Sequence, residues 1–517
     1  MTTRCRIAPS PTGPLHIGTA RTALFNYLFA RQSGGTFILR LEDTDVARSS
    51  LEHERDILDG LHWLGLEWDE GPEVAGLPAR GPLGPYRQSE RTSEYRAAAE
   101  RLLEEDKAYE CFCTPDELAA DRAARETSHA AAGPEAPATP RSSHRCAQLG
   151  PEERRAHRAA GRQPAIRFRV GKGAVTVHDI VRGEVTFDTS ALGDDLVIVR
   201  SDGSPLYHFT VVVDDIAMGI SHVIRGEDHL SNTPKHILLF RALGAEPPAF
   251  AHLPLILNPD RTKMSKRKSQ TALAEYRAQG FIREALVNHL ALMGWSSGSD
   301  EEVFSLDELV ARFDLARVQP SGAIFDAERL AWLNGQWIRR LPDDERVERA
   351  LPFLAGAVQA AAARGARART PGADDLGALL PMLRERLPRL DAVGEMVDFV
   401  FIEDVRVDTD LLVPKRWDAA TTADGLSRAL EVIEGVGPVS FEADELEPAL
   451  RALAEQQSWK AGDLFMAVRV AVTGRTATPP LFDTLVAVGP ERTAQRLRSA
   501  IAMLRSAGLE AQDAPHA

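Results

Sequence analysis

Strand and helix patterns alternate through the N-terminal part of the chain, and this alternation restricts the fold more than any other feature. The apolar stretches RCRIAPS and GGTFILRLED predict strands, whereas TARTALFNYLFARQ and SSLEHERDILDGLHWLGL predict helices. Ser49, with Glu52 three residues later, matches a capping box at the start of the second helix. This order of elements predicts a parallel sheet with right-handed helical crossovers.

The length and composition indicate a multidomain globular protein. A chain of 517 residues exceeds one compact core and suggests roughly two to four domains. The sequence contains no run of about 18 apolar residues, so a membrane span is not expected. The segment MTTRCRIAPSPTG lacks the apolar centre of a secretory signal. Four cysteines argue against a disulfide framework and favour a reducing cytoplasm.

The charge of the chain bears on its partners. A formal net charge of −14 disfavours nucleic-acid binding by phosphate neutralisation over the whole surface. Two local runs, Arg154–Lys172 and Arg261–Lys268, are nevertheless basic, and a solvated face is the other explanation of each. Net charge affects solubility and association rather than fold, so it does not exclude an RNA partner.

The rest of the chain divides by composition. Residues 119–161 are rich in Ala, Pro and small polar residues, which predicts an inserted, partly flexible segment. PAIRFRV, AVTVHDIVRGEVTFD and DLVIVRSDGSPLYHF predict antiparallel strands, and HLPLILNPD predicts a buried strand. SNTPKHILLFRALG predicts a helix capped by Ser or Asn, and after Gln270 the patterns are mostly helical.

The loop PSPTGPLHIGTAR follows the first predicted strand, at the edge where open α/β sheets bind ligands. Gly18 permits close backbone approach, and the N-terminus of the next helix offers free N–H groups to an anion. His16 is able to donate to a phosphate oxygen that gains charge in a transition state. A structural loop histidine is the alternative.

The segment KMSKRKS follows a predicted strand and an NPD turn. Lys263 and Lys266 lie three residues apart with Ser265 between them, which is a cationic arrangement suited to a triphosphate. A solvent-exposed basic loop explains the same pattern equally well.

Charged residues occur where predicted strands end. Arg6 and Glu42 lie in or beside strand segments, and Arg225, Glu227 and Asp228 stand in VIRGEDH. Charges are disfavoured there unless they are paired or functional. Two arginines and a carboxylate suit a small zwitterion with an extra carboxylate, because Arg offers a bidentate fork. An internal ion-pair cluster is the alternative.

Together these segments resemble a known family. PSPTGPLHIG resembles the HIGH signature of class I aminoacyl-tRNA synthetases, and KMSKR resembles their KMSKS loop. The combination of RIAPSPTGPLHIGTART, RLEDTD, YRQSER, VIRGEDHLSNTPKH and KMSKRKS is similar to glutamyl-tRNA synthetases of the bacterial type. The specific motifs cover roughly Arg4 to Arg340, and beyond them the resemblance is carried by helical texture and PLFDTLVAVGPERTAQRL.

The resemblance implies an α/β fold with helical domains after it. A Rossmann-like class I synthetase catalytic domain is expected in two halves, residues 1–95 and 196–270, the second carrying the KMSKR loop. An inserted acceptor-end-binding domain is expected at residues 96–195. All-helical stem-contact and anticodon-binding domains are expected at residues 271–340 and 341–517.

The resemblance also implies a glutamate–tRNA ligase that uses ATP with Mg²⁺. L-glutamate is converted to glutamyl-adenylate, and the glutamyl group passes to the 3′-terminal adenosine of tRNA-Glu. The implied catalytic residues are His16, Lys263 and Lys266. The implied ATP-binding residues are His16, Gly18, Asp228, Lys263, Met264, Ser265, Lys266 and Arg267. The implied glutamate-binding residues are Arg6, Ala8, Ser10, Glu42, Tyr207 and Arg225, with Arg384 and Arg386 as candidates for anticodon reading.

Three features depart from the family pattern. Thr19 is the fourth residue of the HIGH element, a common substitution, and Val211 stands where an asparagine is expected in the glutamate pocket. Some relatives bind zinc through a Cys-X-Cys, for which Cys111 and Cys113 qualify. The other nearby candidates are His144 and Cys146, in reversed order, and four such ligands suit a structural Zn²⁺ site. Reduced, metal-free thiols are the alternative.

Other functions remain open at this stage. A relaxed enzyme that also charges tRNA-Gln with glutamate is one, and a non-catalytic tRNA-binding paralogue is another. A shorter relative that glutamylates a tRNA base lacks the C-terminal helical part, and a glutaminyl enzyme has β-barrels there. The family also leads us to expect a cytoplasmic monomer.

Overall fold

The computed structural model describes residues 2–74, 78–120, 123, 145–192, 195–264 and 271–512. The chain forms two compact units. The first comprises Met1–Tyr276 with Leu286–Leu330, and the second comprises Arg277–Ala285 with Ala331–Ala517.

The first unit begins with the expected alternation. Strand β1 (Arg4–Ile7), helix α1 (Ile17–Gln32), strand β2 (Thr36–Leu39) and helix α2 (Leu51–Trp63) follow one another along the chain. β1 and β2 pair in parallel, because α1 provides the crossover that parallel neighbours need. The parallel sheet expected for this part of the chain is confirmed.

The start of α2 differs from the expected capping box. Ser50, not Ser49, is the N-cap, and its side chain accepts a hydrogen bond from the backbone N–H of His53. The backbone N–H of Ser50 donates to the carbonyl of Pro11 at 3.1 Å, which fixes Ser50 in the extended conformation that a cap requires. Glu52 is therefore one residue too early to complete a capping box, and that prediction is wrong.

The middle of the unit contains the insertion. Its elements are α3 (Thr92–Glu104), β3 (Ala108–Cys111), a helical stretch at 115–120, α4 (Pro151–Ala159), β4 (Ala165–Phe168), β5 (Ala174–Asp179), β6 (Gly183–Asp188) and β7 (Leu196–Val199). β3, β4 and β7 form an antiparallel sheet, and β5 and β6 form an antiparallel hairpin. The antiparallel strands predicted here are confirmed.

The second half of the main sheet follows. Its elements are α5 (Tyr207–Ala217), β8 (His222–Gly226), α6 (Thr233–Ala242), β9 (Ala249–Leu253) and β10 (Ile256–Leu257). The sheet order is β2-β1-β8-β9-β5-β6, in which β8 pairs in parallel with both β1 and β9. The helix expected at α6 is present, but its cap residue Asn232 makes no side-chain capping bond. The carboxyl ends of β1, β8 and β9 therefore meet at one edge of the sheet.

Short helices and one strand complete this stretch of chain. They are α7 (Leu273–Ala278), α8 (Arg283–Leu292), α9 (Leu306–Arg312), β11 (Ala323–Ile324) and α10 (Ala327–Arg340). β10 and β11 pair in parallel as a separate two-stranded sheet. The strand predicted from HLPLILNPD is thus divided into β9 and β10, because Pro254 has no N–H to continue a ladder.

The second unit is helical in its described part. Its helices are α11 (Asp343–Ala363), α12 (Ala373–Leu383), α13 (Ala392–Val397), α14 (Thr409–Leu412), α15 (Ala419–Val436), α16 (Ala443–Gln456), α17 (Ala461–Thr473), α18 (Leu481–Val488) and α19 (Pro490–Gln512). Apolar residues at helical spacing form one continuous core, which includes Leu354, Phe399, Leu426, Leu450 and Val468.

Within the described ranges, no helix combines the length and the apolar character needed to cross a bilayer.

Candidate active site

A cavity of about 380 Å³ opens at the carboxyl ends of β1 and β8. It brings together the predicted ATP- and glutamate-binding residues that the structure describes, namely Arg6, Ala8, Ser10, His16, Gly18, Glu42, Tyr207, Arg225, Asp228, Lys263 and Met264. Ser265, Lys266 and Arg267 lie outside the described residues. The geometry therefore supports one site, in which the residues of the two signature segments face the same space.

His16 is the N-cap of α1, and its position defines its tautomer. Its Nδ1 accepts a hydrogen bond of 2.9 Å from the backbone N–H of Gly18. Nδ1 is therefore unprotonated, and the ring proton is on Nε2. The imidazole caps the helix with one nitrogen and keeps a donor on the other, at the positive end of the helix dipole.

The HIGH-like loop is also tied to the chain that follows the KMSKR segment. The backbone N–H of Ile17 donates to the carbonyl of Thr271, and that of Leu273 donates to the carbonyl of Leu15, each at 2.9 Å. Lys263 Nζ lies 3.5 Å from Asp228 Oδ2, and both side chains are at least half exposed. A lysine in this position is free to exchange its carboxylate for a phosphate.

Behind one wall of the cavity, which Arg6 lines, buried arginines are paired with carboxylates. Arg6 donates from Nε and Nη2 to Asp215 at 3.1 and 3.3 Å, and Arg40 donates from Nη1 to the same carboxylate at 2.7 Å. Arg91 donates from Nε to Asp214 at 2.7 Å. Burial opposes ionisation of Asp215, but Arg6 and Arg40 outweigh it and hold its pKa below the usual value. We call this set (Arg6, Arg40, Arg91, Asp214, Asp215) the paired cluster.

Glu42 borders the paired cluster. Its carboxylate lies 3.5 Å from Arg40 Nη2, and its side chain is 14% exposed. Burial raises the pKa of Glu42, although Arg40 and Arg6 act in the opposite direction. A largely buried carboxylate that lines a cavity is suited to an ammonium group, which would add a further positive neighbour.

On another wall, Arg225 has only neutral partners among the described residues. Its guanidinium donates to His252 Nε2 and His236 Nδ1, each at 3.2 Å, and to Thr233 Oγ1 at 2.7 Å. His252 in turn donates from Nδ1 to Asp179 at 2.5 Å, which leaves its Nε2 as an acceptor. Burial lowers the pKa of Arg225, and no ion pair joins it to a carboxylate in the described structure. Its positive charge is therefore available to an anionic ligand.

Tyr207 also lines the cavity. Its hydroxyl lies 3.1 Å from His229 Nδ1, and burial raises its pKa to about 12, so it stays protonated at neutral pH. Val211, one helical turn later, is 1% exposed and packs in the apolar core rather than lining the cavity. Ser10 is exposed at the rim.

Three cysteines converge in the insertion. The sulfur atoms of Cys111, Cys113 and Cys146 lie within 4.8 Å of one another, and Cys113 and Cys146 are 3.6 Å apart. Two sulfurs bound to one zinc at about 2.3 Å in a tetrahedron lie about 3.8 Å apart, so the spacing suits a zinc site. Burial raises the pKa of Cys113 to about 12. His144 lies outside the described residues.

The two candidate anticodon residues have different surroundings. Arg384 follows α12 and lines a groove of about 840 Å³ with the carboxylates of Asp343, Asp344, Glu348 and Asp374. Arg386 is exposed. It lies near enough to Arg469 to lower the pKa of that guanidinium further than burial does alone.

Sequence reasoning missed several residues that form this site. Asp214 and Asp215 in VVVDD and His252 in AFAHLPL are polar residues within apolar patterns, which is a signal that a buried partner exists. Arg40 and Arg91 carried no comparable signal, because an arginine at the end of a strand or helix is usually solvated. Their roles depend on partners more than a hundred residues away.

Comparison with known proteins agrees with this geometry. A family of "tRNA synthetases class I (E and Q), catalytic domain" matches residues 2–332, and an "Anticodon binding domain" matches residues 345–501. A glutamate–tRNA ligase of Heliobacterium modesticaldum is 45% identical over 504 residues, covering 96% of this chain and 96% of the relative. Glutamate–tRNA ligase 1 of Syntrophomonas wolfei is 44% identical over 501 residues, with 96% of each chain covered.

A solved structure extends the similarity to the whole fold. The crystal structure of a glutamate tRNA ligase from Elizabethkingia meningosepticum, in complex with its amino acid, has a TM-score of 0.81 at 32% identity. The match covers 98% of this chain and 100% of that one, and it confirms the Rossmann-like catalytic fold followed by a helical anticodon-binding part. The chain therefore belongs to the class I tRNA synthetases of the glutamate and glutamine type.

Proposed function

We infer that this class I synthetase is a glutamate–tRNA ligase. The observation that carries the assignment is the single cavity that joins the HIGH-like loop, Lys263 and a pocket lined by Arg6, Arg225 and Glu42. Glutamate has two carboxylates and one ammonium, and this set of charges complements it. The alternative function, that of a non-catalytic tRNA-binding paralogue, is not favoured, because His16 and Lys263 both line the cavity.

The reaction has two steps. The α-carboxylate of glutamate attacks the α-phosphate of ATP, so that an oxygen–phosphorus bond forms and pyrophosphate leaves. The 2′- or 3′-hydroxyl of the terminal tRNA adenosine then attacks the acyl carbon, and AMP leaves. The protein forms no covalent intermediate, so positioning and charge stabilisation supply the rate enhancement.

We assign the phosphate end of the cavity to ATP. His16 donates from Nε2 to a phosphate oxygen, and the positive end of the α1 dipole lies beside the same anion. Lys263 stabilises the leaving pyrophosphate, with Lys266 as a second cation, and Asp228 and Met264 border the nucleotide. ATP enters as its Mg²⁺ complex, and the metal is therefore part of the substrate.

The remaining part of the cavity binds glutamate. Arg225 and Arg6 take the carboxylates, since Arg225 has no carboxylate partner and Arg6 uses only Nε and Nη2 for Asp215. Glu42 and Ser10 bind the ammonium, Ala8 lines the pocket, and Tyr207 closes it.

ATP–pyrophosphate exchange with glutamate tests the site, run with and without tRNA. His16→Ala is expected to lower exchange by about 100-fold or more, because it removes a transition-state donor, while tRNA affinity stays within about twofold. His178→Ala, at an exposed histidine on β5, is the matched control and should exchange normally. An Arg6→Ala protein that activates glutamate like the unaltered enzyme would contradict the glutamate pocket.

We propose that Cys111, Cys113 and Cys146 hold a structural Zn²⁺ with His144 as fourth ligand. The metal would supply a cross-link within the insertion and take no part in the reaction. Metal analysis of protein purified without chelator is expected to find one zinc per chain, and Cys113→Ser should lose it. A metal-free preparation that is fully folded and active contradicts this site.

The helical unit is proposed to read the anticodon, and the basic run 154–172 to contact the acceptor end. Several arginines of that run are paired with carboxylates, among them Arg158 with Glu110 and Arg169 with Asp106. Of the two anticodon candidates, Arg386 is the better placed, because the carboxylates around Arg384 repel a phosphate. Arg386→Ala should weaken charging of tRNA-Glu more than Arg384→Ala does.

Aminoacylation of purified tRNA-Glu and tRNA-Gln decides the specificity. We propose a discriminating enzyme, for which glutamate is transferred to tRNA-Glu and not to tRNA-Gln. Equal charging of both would instead establish the relaxed enzyme. The protein is further proposed to act in the cytoplasm as a monomer, with the domain limits expected from the sequence.

A further inference from the structure

Arg21 is a buried charge in the floor of the phosphate end of the cavity. It lies on α1, five residues after His16, and is 3% exposed. Arg21 is among the residues that line the same cavity as His16, Gly18 and Lys263. None of the roles assigned above uses it.

The hydrogen bonds of Arg21 end on backbone carbonyls. Nη1 donates to the carbonyl of Met293 at 3.3 Å, and Nη2 donates to the carbonyl of Pro254. Nε is buried and has no hydrogen-bond partner within the part of the chain that the structure describes. No carboxylate forms an ion pair with Arg21 among the described residues, and burial lowers its pKa to about 10. A buried guanidinium with these partners carries an unbalanced positive charge.

The carbonyl that Arg21 holds belongs to the base of the hairpin that carries Lys263. Pro254 lies between β9 and β10, the backbone N–H of Met264 donates to the carbonyl of Ile256, and Leu257 bridges to Lys263. Arg21 therefore joins the helix that begins at His16 to the strand that leads to Lys263.

A carbonyl-bound arginine is not by itself a ligand site, as Arg496 shows. It is 6% exposed, donates to the carbonyls of Val472, Phe399 and Ile402, and has its pKa lowered to about 10 by burial. Arg496 lies in the helical unit, where it connects chain segments. Arg21 differs in one respect, because it borders the cavity where two other phosphate-binding groups converge.

We propose that Arg21 is a further ATP-binding residue, whose fixed positive charge is balanced by the triphosphate and by the pyrophosphate that leaves. The proposal rests on the proposed placement of the ATP phosphates beside His16. The carbonyls of Pro254 and Met293 prevent the guanidinium from turning away, so its charge is present before ATP arrives. Because Arg21 is buried, its charge is screened by salt and solvent less than the charge of Lys263, which is half exposed.

If the positive charge of Arg21 contacts the phosphates, its removal should weaken the binding of a ligand more when that ligand carries more phosphates. Dissociation constants for ATP, ADP, AMP, adenosine and inorganic pyrophosphate are measured by calorimetry on the full chain. Arg21→Gln is expected to weaken ATP and pyrophosphate by about tenfold or more and adenosine by less than about twofold. Arg21→Lys keeps the charge and is expected to stay within about threefold of the unaltered enzyme for every ligand.

Two controls separate this role from packing. Arg496→Gln should lower the thermal unfolding midpoint and leave the ratio of ATP to adenosine affinity unchanged. A structural role for Arg21 alone would weaken adenosine and ATP equally, and Arg21→Lys would not recover ATP binding. Either of these results, or unchanged ATP binding in Arg21→Gln, overturns the inference.

The His16→Ala exchange assay distinguishes failure of the inference from failure of the site. Lost exchange in His16→Ala with unaltered ATP binding in Arg21→Gln overturns the role of Arg21 only. Normal exchange in His16→Ala means that the phosphates bind elsewhere, and the placement that supports Arg21 then fails with it.

Discussion

The two walls of the glutamate cavity hold their buried arginines in opposite ways. In the paired cluster, Arg6, Arg40 and Arg91 meet the carboxylates of Asp214 and Asp215. On the other wall, Arg225 meets imidazole nitrogens and a hydroxyl, and Arg21, at the phosphate end, donates its hydrogen bonds to carbonyl oxygens. The first wall is close to neutral, whereas the second is positive.

This difference distinguishes arginines that stabilise the fold from arginines that we propose bind a ligand. A buried ion pair contributes little net stability, but breaking one leaves a buried charge and is costly. An arginine that is buried without a counter-ion already lowers the stability of the ligand-free enzyme, because its charge has lost its solvation. Where such a residue also lines a cavity, as Arg225 and Arg21 do, a ligand is able to supply the missing charge. We propose that glutamate and ATP are the anions that do so.

The largest expected effect is a loss of stability when the paired cluster is broken. Asp215→Asn removes the carboxylate shared by Arg6 and Arg40 and leaves two guanidinium groups unbalanced in the interior. The free energy of unfolding is expected to fall by about 3–5 kcal/mol, measured by urea denaturation. Asp202→Asn, at an exposed turn, is the control. A loss below about 1 kcal/mol would mean that the cluster does not hold the pocket.

The next largest effect is expected at Glu42, whose ionisation should make glutamate activation depend on pH. Burial raises its pKa, so acid protonates it at a pH where an exposed glutamate is still ionised. Recognition of the ammonium then weakens, and kcat/KM for glutamate falls as the pH decreases through the raised pKa. Burial lowers the pKa of His229 and brings that of His208 to about 4, so burial disfavours a positive charge on either ring.

A pH profile of the exchange reaction measures this effect. Glu42→Gln is expected to lose about tenfold or more in kcat/KM at neutral pH, as a charged hydrogen bond is lost. Its profile should lack the acid limb of the unaltered enzyme. An acid limb that persists unchanged in Glu42→Gln would assign the titration to another group.

A smaller effect is expected from the support of Arg225. Asp179→Asn weakens the hold on His252, whose Nε2 accepts from Arg225. The KM for glutamate is expected to rise by about three- to tenfold with kcat little changed, because Arg225 keeps its bonds to His236 and Thr233. Equal losses in the KM values for glutamate and ATP would indicate a general structural defect.

The smallest effect concerns Val211, which is buried in the core behind Tyr207. Val211→Asn places an amide in apolar surroundings, and we expect the unfolding free energy to fall by about 1–3 kcal/mol. KM for glutamate should change by less than about threefold, since Val211 does not line the cavity. A KM that falls by tenfold would show that the amide reaches the substrate.

Sequence reasoning predicted the parts of the site whose chemistry is local. The His16 loop and the Lys263 segment each have another explanation, but they are recognisable because both signatures occur in one chain together with RLEDTD and VIRGEDH. The carboxyl ends of β1 and β8 followed from the alternation of strands and helices.

The missed parts depend on contacts that no local pattern encodes. Arg6 and Asp215 are 209 residues apart, and neither neighbourhood indicates the other. The hairpin of β5 and β6 was predicted as antiparallel strands, but its parallel pairing with β9 joins it to the main sheet. That pairing positions Asp179 beside His252, so the support of Arg225 comes from a segment predicted to be a separate insertion.

Substituting one arginine from each wall tests the central claim most directly. Arg225→Gln and Arg91→Gln remove equally buried guanidinium groups, and both are compared by glutamate-dependent exchange and urea denaturation. We expect Arg225→Gln to lose about 100-fold or more in kcat/KM for glutamate with an unfolding free energy within about 1 kcal/mol of the unaltered enzyme. Arg91→Gln should lose about 3 kcal/mol of stability with a nearly normal KM. Equal losses of stability and of glutamate recognition in the two variants would contradict the account.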